Sequence, residues 1–488
     1  MFTSRFWKTT LISMTQAKHL ETELQQLECH FTWELIKEDT DITDLLNRLE
    51  ENIKINLGGK AGVAQTYNSL AFVKYLLGFP TEALSNLQKC EELTKEYREN
   101  DCDKWLIVTY GNMAWLQYHM KSYAECESYV EKLRDIAERF PMEPASALHH
   151  EVLGEKAWAL FKFSRENYER AKECFRKALE LEPNEGEWNA GYAIVLYRTE
   201  TEPSNPTDSP TIKQLRRAIE IKPGDDVLKV LLGLKLAAYK KYNEAESLME
   251  KALENSPEDP HVIRYVGKFF RNQGSVDRAI ALFKRALEKT PNSGFIHHQL
   301  ALCYNKKKTH VFQTRSLRSK GAEIQRLRNQ CICHLEMAIT LKPSFIFAMS
   351  ELALQYGENQ HIFKAEELFQ TTFQTAEEKK YGSQVVHFHY AQFQQHSKKC
   401  ESLAIKHYME CLKMDPSTSE GKRSAGSLKS IAERKMGRNP KEAFGILGFM
   451  YKEKGKKGKA IECYEKALSY EDNEEYLQNL FHLKLSLE

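Results

Sequence analysis

Apolar and small residues return at a fixed interval through the middle of the chain, between polar positions that vary. Three alanines lie 34 residues apart and a proline follows each by five residues, at Ala218, Ala252, Ala286, Pro223, Pro257 and Pro291. Proline cannot continue a helix, and a small residue lets two helices approach closely. Each interval therefore predicts one pair of packed helices that ends in a turn.

An interval of 34 residues is typical of tetratricopeptide repeats. The motif is most complete near the end of the chain, at Phe444, Leu447, Gly448, Tyr451, Ala460, Tyr464 and Ala467. We count about eight to ten units and predict an all-α fold, a tetratricopeptide-repeat superhelical solenoid. Function is then expected along a concave groove.

The interval fails in two places, which predict insertions. The first contains the proline-rich segment TETEPSNPTDSP, a predicted surface loop, and the second is a basic insertion, 306–328, predicted to extend helices across the groove mouth. We predict a flexible N-terminal extension (1–20), an N-terminal helical subdomain (21–135), a middle subdomain (136–305) and a C-terminal subdomain (306–488). Residues 20–57 show helical spacing, and residues 1–13 are interpreted as an extension upstream of an alternative start at Met14.

Charge is balanced overall but not locally. The chain has 70 Lys and Arg against 68 Asp and Glu. Residues 264–328 hold fifteen Lys and Arg against three acidic residues, with aromatic residues interleaved. This block suits single-stranded nucleic acid, although solvated helix faces explain it equally well. For the second basic stretch, 422–459, solvated faces are the preferred interpretation.

Composition excludes several other classes of protein. The eleven cysteines show no zinc-ligand spacing, which predicts free thiols packed between helices in a reducing compartment. No apolar run is long enough to span a membrane. The basic first eighteen residues only weakly resemble a mitochondrial presequence, so a cytoplasmic location is predicted.

Several strings go beyond the generic repeat motif. They are HFTWEL (30–35), LAFVKYLLG (70–78), NMAWLQYHM (112–120), NYERAKECF (167–175), GYAIVLYR (191–198), RYVGKFFR (264–271) and LGFMYKEKG (447–455). From about Glu21 onward the chain resembles the family of interferon-induced proteins with tetratricopeptide repeats. The resemblance implies an innate antiviral effector that binds the 5′ end of single-stranded RNA carrying a triphosphate, or a cap without 2′-O-methylation. Such an effector sequesters the RNA or inhibits its translation, and a central positively charged tunnel would hold the RNA.

The resemblance also implies roles for particular residues. The matching positions are phosphate-binding Arg48, Lys162, Arg198 and Arg264; base or cap stacking and pocket residues Trp158, Tyr168 and Ile194; ribose or phosphate contacts His298 and Gln299; and an oligomerisation pattern at Tyr464 and Leu468. Each aromatic residue alone fits repeat packing better than stacking, and each cation alone fits a solvated surface. The set of four cations, drawn from distant parts of the chain, is what favours a site.

Some positions depart from the family pattern. His261, Asp225 and Val227 replace a tyrosine, an asparagine and a tyrosine, while Asn56 and Gly58 replace a leucine and a threonine that line the cap pocket. These departures affect the predicted cap pocket, so the sequence supports triphosphate binding better than cap binding.

The sequence also bears on two other classes of function. A protein-binding scaffold without RNA specificity is the alternative, although Asn68 and Lys74 do not make a convincing carboxylate clamp. No Walker loop, nucleophile motif or HExxH is present, so we expect no enzyme. We expect no metal site and no cofactor, apart from a magnesium ion that a bound triphosphate can carry. The expected partners are 5′-triphosphate or cap-0 RNA and family members in homo- or hetero-oligomers.

Overall fold

A computed structural model describes residues 18–98, 102–141, 148–200, 205–314 and 320–486. These residues form helices joined by turns and contain no β-strand, so the all-α prediction is confirmed. Residues 1–13, interpreted above as an upstream extension, lie outside the described residues, as do Met14, residues 201–204 of the proline-rich segment and residues 315–319 of the basic insertion.

The helices follow one another through the whole described chain. They are α1 (Ile42–Lys54), α2 (Gly59–Leu76), α3 (Pro80–Arg98), α4 (Ile107–His119), α5 (Tyr123–Arg139), α6 (His150–Phe163), α7 (Tyr168–Leu181), α8 (Gly186–Thr199), α9 (Pro210–Ile221), α10 (Asp226–Ala238), α11 (Tyr242–Asn255), α12 (Pro260–Gln273), α13 (Val276–Lys289), α14 (Gly294–Thr314), α15 (Lys320–Leu341), α16 (Ile346–Glu358), α17 (Ile362–Glu378), α18 (Ser383–His396), α19 (Glu401–Met414), α20 (Ser419–Lys435), α21 (Pro440–Glu453), α22 (Lys457–Leu468) and α23 (Glu474–Leu485). Short 3₁₀ helices cover Lys37–Asp39, Lys104–Leu106, Arg165–Asn167 and Pro206–Asp208.

Consecutive helices pack as hairpins, as the 34-residue interval predicts. The pairs α2–α3, α6–α7, α12–α13 and α21–α22 are examples. The alanines that define the interval, Ala218, Ala252 and Ala286, are completely buried. A Cβ built on Gly267 of α12 would lie 2.9 Å from the ring of Phe283 on α13. Small residues therefore let the paired helices touch.

The described chain divides into two compact units at Gln299 and Leu300. The core of the first unit includes the buried rings of Trp33, Phe175 and Trp188, and that of the second includes Phe388 and Tyr408. The finer subdomain boundaries remain predictions.

The second insertion lengthens helices, since α14 and α15 are the longest of the described helices. Its basic residues are not all surface charges. Lys308 is buried and donates hydrogen bonds to Gln355, at 2.6 Å, and to Glu358. On α13, Arg278 pairs with Glu250 at 2.7 Å. Packing and ion pairing thus account for part of the basic block.

The N-terminal segment differs from its helical pattern. Residues 18–24 are helical, but residues 25–36 form turns before α1 begins. The Thr32 hydroxyl donates to the Leu27 carbonyl at 2.6 Å and accepts from the Cys29 amide at 3.1 Å. Such local side-chain bonds compete with a helix.

None of the described helices combines the length and the apolar character needed to cross a membrane.

Candidate nucleic-acid interface

Arg48 and Lys162 meet where α1 lies beside the end of α6. The Arg48 guanidinium donates to the Asp44 carboxylate at 2.9 Å and to the carbonyl oxygen of Lys162 at 3.4 Å. Nearly half of the Arg48 side chain stays exposed. Two cations from positions 114 residues apart therefore converge.

Lys162 is a half-buried cation whose charge is incompletely compensated. Its ammonium contacts the Thr66 hydroxyl at 3.4 Å, and no carboxylate of a described residue lies within ion-pair distance. Burial lowers the pKa of Lys162 to about 8, with nearby Glu155 opposing and Arg48 adding to the shift. Burial also raises the pKa of Glu155 to about 7, although Asn68 donates to this carboxylate at 2.7 Å.

Arg198 of α8 and Arg264 of α12 meet at one phenol. Arg198 donates to the Tyr265 hydroxyl at 3.2 Å, and the Arg264 guanidinium lies 4.9 Å from the centre of the Tyr265 ring. Burial alone would raise the pKa of Tyr265, but Arg264, Arg198 and Lys268 outweigh it and lower the pKa to about 8. A phenol that ionises this readily reports a strongly positive potential, which attracts anions.

The face of α12 continues this cationic patch. His261, Arg264, Lys268 and Arg271 are spaced by three, four and three residues, so they share one side of the helix. Desolvation and the charge of Arg198 lower the pKa of Lys268. Burial and Arg264 keep the pKa of His261 well below its ordinary value, so this histidine is neutral at pH 7. Lys268 and Arg271 were not predicted, although their helical spacing from Arg264 was a readable signal.

The two aromatic residues predicted to stack on bases lie near cations, Trp158 near Lys162 and Tyr168 near Arg198. Trp158 packs its ring edge-on against Phe175, with 5.3 Å between ring centres, and Lys162 lies 5.8 Å from the Trp158 ring centre. Tyr168 contacts Phe161 at 5.0 Å. Trp158, Tyr168 and Ile194 are all half-buried. Packing therefore uses part of each side chain and leaves part accessible.

His298 and Gln299 lie deeper than their predicted role suggests. Both are buried on α14. Phe295, one turn earlier, contacts Tyr265 with 6.4 Å between ring centres. The Gln299 side-chain oxygen is buried without a hydrogen-bond partner among the described residues. Their burial indicates that His298 and Gln299 support the site from the interior of the protein.

Glu51 joins α1 to the segment that precedes α14. Its carboxylate accepts from the backbone amide of Asn292 at 3.0 Å, across 241 residues of sequence. Burial raises the pKa of Glu51, while Arg264 nearby acts against this shift. Because Glu51 and Arg48 share α1, the contact brings the start of α14 back to the helix that holds Arg48.

The positions that depart from the family pattern have local structural roles. Asn56 and Gly58 form the turn before α2 with positive φ angles of 54° and 78°, which a β-branched threonine would adopt only with strain. Asp225 caps α10 by accepting from the Leu228 amide at 3.2 Å. Val227 is half-buried in the first turn of α10.

The two residues of the predicted oligomerisation pattern lie in the second unit, and they differ in how deeply they are buried. Tyr464 is only 1% exposed and packs against Tyr476 and Leu483, whereas Leu468 is half-buried. Tyr464 therefore occupies the repeat-packing position that the motif gives it.

Models of the tetratricopeptide repeat match residues 62–139, 159–185, 232–294 and 442–474. The chain is also similar along almost its whole length to human proteins. It is 38% identical over 462 residues to human "Protein IFIT1 homolog B", covering 93% of this chain and 97% of that protein. It is 37% identical to human "Antiviral innate immune response effector IFIT1", covering 92% and 95%. Identity to human "Interferon-induced protein with tetratricopeptide repeats 2" is 32%, covering 94% and 97%.

Solved structures show the same likeness. A human IFIT1 dimer with PPP-AAAA is 36% identical with a TM-score of 0.78, covering 92% of this chain and 99% of that chain. A human IFIT1 dimer with m7Gppp-AAAA is 37% identical with a TM-score of 0.81, covering 92% and 99%. A monomeric mutant of IFIT1 with Gppp-AAAA is 36% identical with a TM-score of 0.82, covering 93% and 100%.

Proposed function

Because the chain belongs to the family of interferon-induced proteins with tetratricopeptide repeats, we propose that it binds the 5′ end of single-stranded RNA. The ligand carries a 5′-triphosphate or a cap without 2′-O-methylation. The observation that carries the proposal is the presence in one unit of two cation pairs, Arg48 with Lys162, and Arg198 with Arg264 at a phenol of lowered pKa.

Each group in the site matches one part of this ligand. The cations neutralise the phosphate chain, and arginine forks suit its paired oxygens. The accessible parts of Trp158 and Tyr168 offer stacking surfaces for the first bases. Sequence-independent backbone contacts imply no preference for an internal RNA sequence.

Between the two 5′ ends, we propose that triphosphate is the better supported ligand. The cationic cluster serves both ends, but the turn at Asn56 and Gly58 lacks the larger side chains that the family resemblance places beside a cap. Bound phosphates can carry magnesium. A titration of the protein with triphosphate RNA, in the presence and absence of EDTA, tests whether the affinity for RNA needs this ion.

In the cell, we propose a cytoplasmic antiviral effector that sequesters viral RNA or prevents its translation. The likeness to human IFIT1, an antiviral effector by name, supports this role. The mechanism needs no catalytic step, because occupying the 5′ end is enough to deny it to other proteins. The protein-scaffold alternative lacks any comparable support in the first unit.

The decisive test is a titration of the purified protein with one RNA carrying four different 5′ ends. The ends are hydroxyl, triphosphate, cap without ribose methylation and 2′-O-methylated cap. Selective binding of the second or third end is expected. Lys162→Glu and Arg264→Glu should each abolish it, because they reverse a charge beside the phosphates.

Lys251→Glu is the matched control, since Lys251 is an exposed lysine of α11 in the same unit. Circular dichroism verifies the fold of each variant. Equal affinity for all four ends, or full affinity in both site variants, would refute the proposal.

A further inference from the structure

A polar groove in the second unit lies between α18 and α20, which contact each other. It is open to solvent and has a volume of about 470 Å³. The residues that line it contain no carboxylate: Phe388, Gln392, Gln395, His396, Arg423, Gly426, Ser427, Ser430 and Arg434.

Arg423 carries the uncompensated charge of this groove. Its guanidinium lies 4.3 Å from the centre of the Phe388 ring, and the described residues supply it with neither an ion pair nor a hydrogen bond. Arg434, in contrast, pairs with Glu401 at 2.7 Å. The groove therefore offers one free positive charge, which matches a single carboxylate better than a chain of phosphates.

The neutral lining adds further donors. Gln395 accepts a hydrogen bond from the Tyr408 hydroxyl at 2.8 Å through its side-chain oxygen, which leaves its amide NH₂ as a donor. Gln392 is half-buried and makes no side-chain hydrogen bond within the described chain. Such amides suit the carbonyl groups of an extended peptide.

Stacking of nucleic-acid bases is poorly supported here. Phe388 is the aromatic residue of the lining, apart from the His396 imidazole, and it is 1% exposed beneath the Arg423 guanidinium. Single-stranded RNA sites normally combine cations with accessible aromatic rings. From the free arginine, the unpaired amides and the covered ring, we propose that this groove binds an extended acidic peptide segment of a partner protein, with one carboxylate held by Arg423.

Gly426 offers a test that spares the packing. A Cβ built on this residue meets nothing within 4 Å, so a larger side chain enters the groove without displacing its walls. Gly426→Glu places a carboxylate beside the free charge, and Gly426→Gln adds a side chain of the same size without charge.

The probe is a fluorescein-labelled peptide of three Glu-Ala repeats, with three Gln-Ala repeats as the neutral control. Fluorescence polarisation should show wild type binding the acidic probe about two- to fivefold more tightly, because Arg423 is exposed and an exposed ion pair contributes little more than this. Arg423→Ala and Gly426→Glu should remove this preference, and Gly426→Gln should retain it. Lys429→Ala, at an exposed lysine of α20 that does not line the groove, should behave as wild type.

Equal binding of both peptides by wild type, or unchanged preference in Gly426→Glu, would overturn the proposal. So would 5′-hydroxyl RNA that binds through Arg423 when the acidic peptide does not, because the groove would then be an RNA site. These outcomes are separable from the 5′-end function, since the same variants leave the four cations of the first unit unchanged and should retain triphosphate RNA binding.

Discussion

At the residue scale, we expect Lys162 to make the proposed RNA binding sensitive to pH. Its pKa of about 8 in the free protein should rise when phosphate oxygens approach. Binding then takes up a proton above pH 8, so affinity should fall as the pH is raised from 7 to 9. Titrations of triphosphate RNA at constant ionic strength measure this fall.

The control for this pH dependence is Lys162→Arg, which stays charged and should flatten the response. Tyr265 also has a pKa of about 8 and gains negative charge over the same range. Tyr265→Phe removes that contribution and isolates Lys162. A wild-type affinity that stays constant from pH 7 to 9 would contradict the assignment of Lys162 to the phosphates.

The sequence could name these residues but not their surroundings. Arg48, Lys162, Arg198 and Arg264 came from matching the family pattern, one position at a time. The phenol between two arginines and the buried Glu155 beside Lys162 depend on contacts between distant helices, which no local pattern encodes. For the same reason, the burial of His298 and Tyr464 became visible only in the fold.

At the scale of helices, prediction succeeded where the signal was local and periodic. The repeated alanines and glycines report close contacts within one helix pair, and the structure confirms these pairs. Residues 25–36 show the opposite case, because the Thr32 hydroxyl forms turn hydrogen bonds that helical spacing of apolar residues does not reveal.

Gly267→Ala tests the packing of such a pair. The added methyl would lie 2.9 Å from Phe283, and overpacking of this kind typically costs about 1–3 kcal/mol. The free energy of unfolding, measured with urea, should fall by that amount. Gly224→Ala, with open space around its Cβ, is the control and should change little. Equal stability of both variants would mean that α12 and α13 can move apart to accept the added methyl group without a measurable cost in free energy.

At the scale of the whole molecule, the net charge of +2 predicts that RNA affinity depends on local cations and not on general attraction. For single strands, the logarithm of affinity should fall with the logarithm of salt by about 0.7 per phosphate contact. Arg48→Ala, Arg198→Ala and Arg264→Ala should each reduce this slope by about that amount, with Lys251→Ala as the unchanged control. A salt-independent affinity would point to a different kind of ligand.

Assembly is a second property of the whole molecule. We expect Leu468→Glu to lower the mass measured by light scattering, because a charge would disrupt an apolar contact between copies. Leu403→Glu, at an exposed leucine of α19, is the control. Agreement of the Leu468→Glu mass with wild type would exclude this contact. Substitution of the buried Tyr464 would instead destabilise the last repeat and report nothing about assembly.

The contact between Glu51 and Asn292 concerns how a ligand gains entry. The contact joins α1 to the segment that precedes α14, and the four cations belong to helices of the chain between these two points. If the proposed RNA strand is held among these helices, its free end has to enter first. The protein would then select RNA that has a free end before any chemical group is recognised, and a circular RNA of identical sequence should not bind.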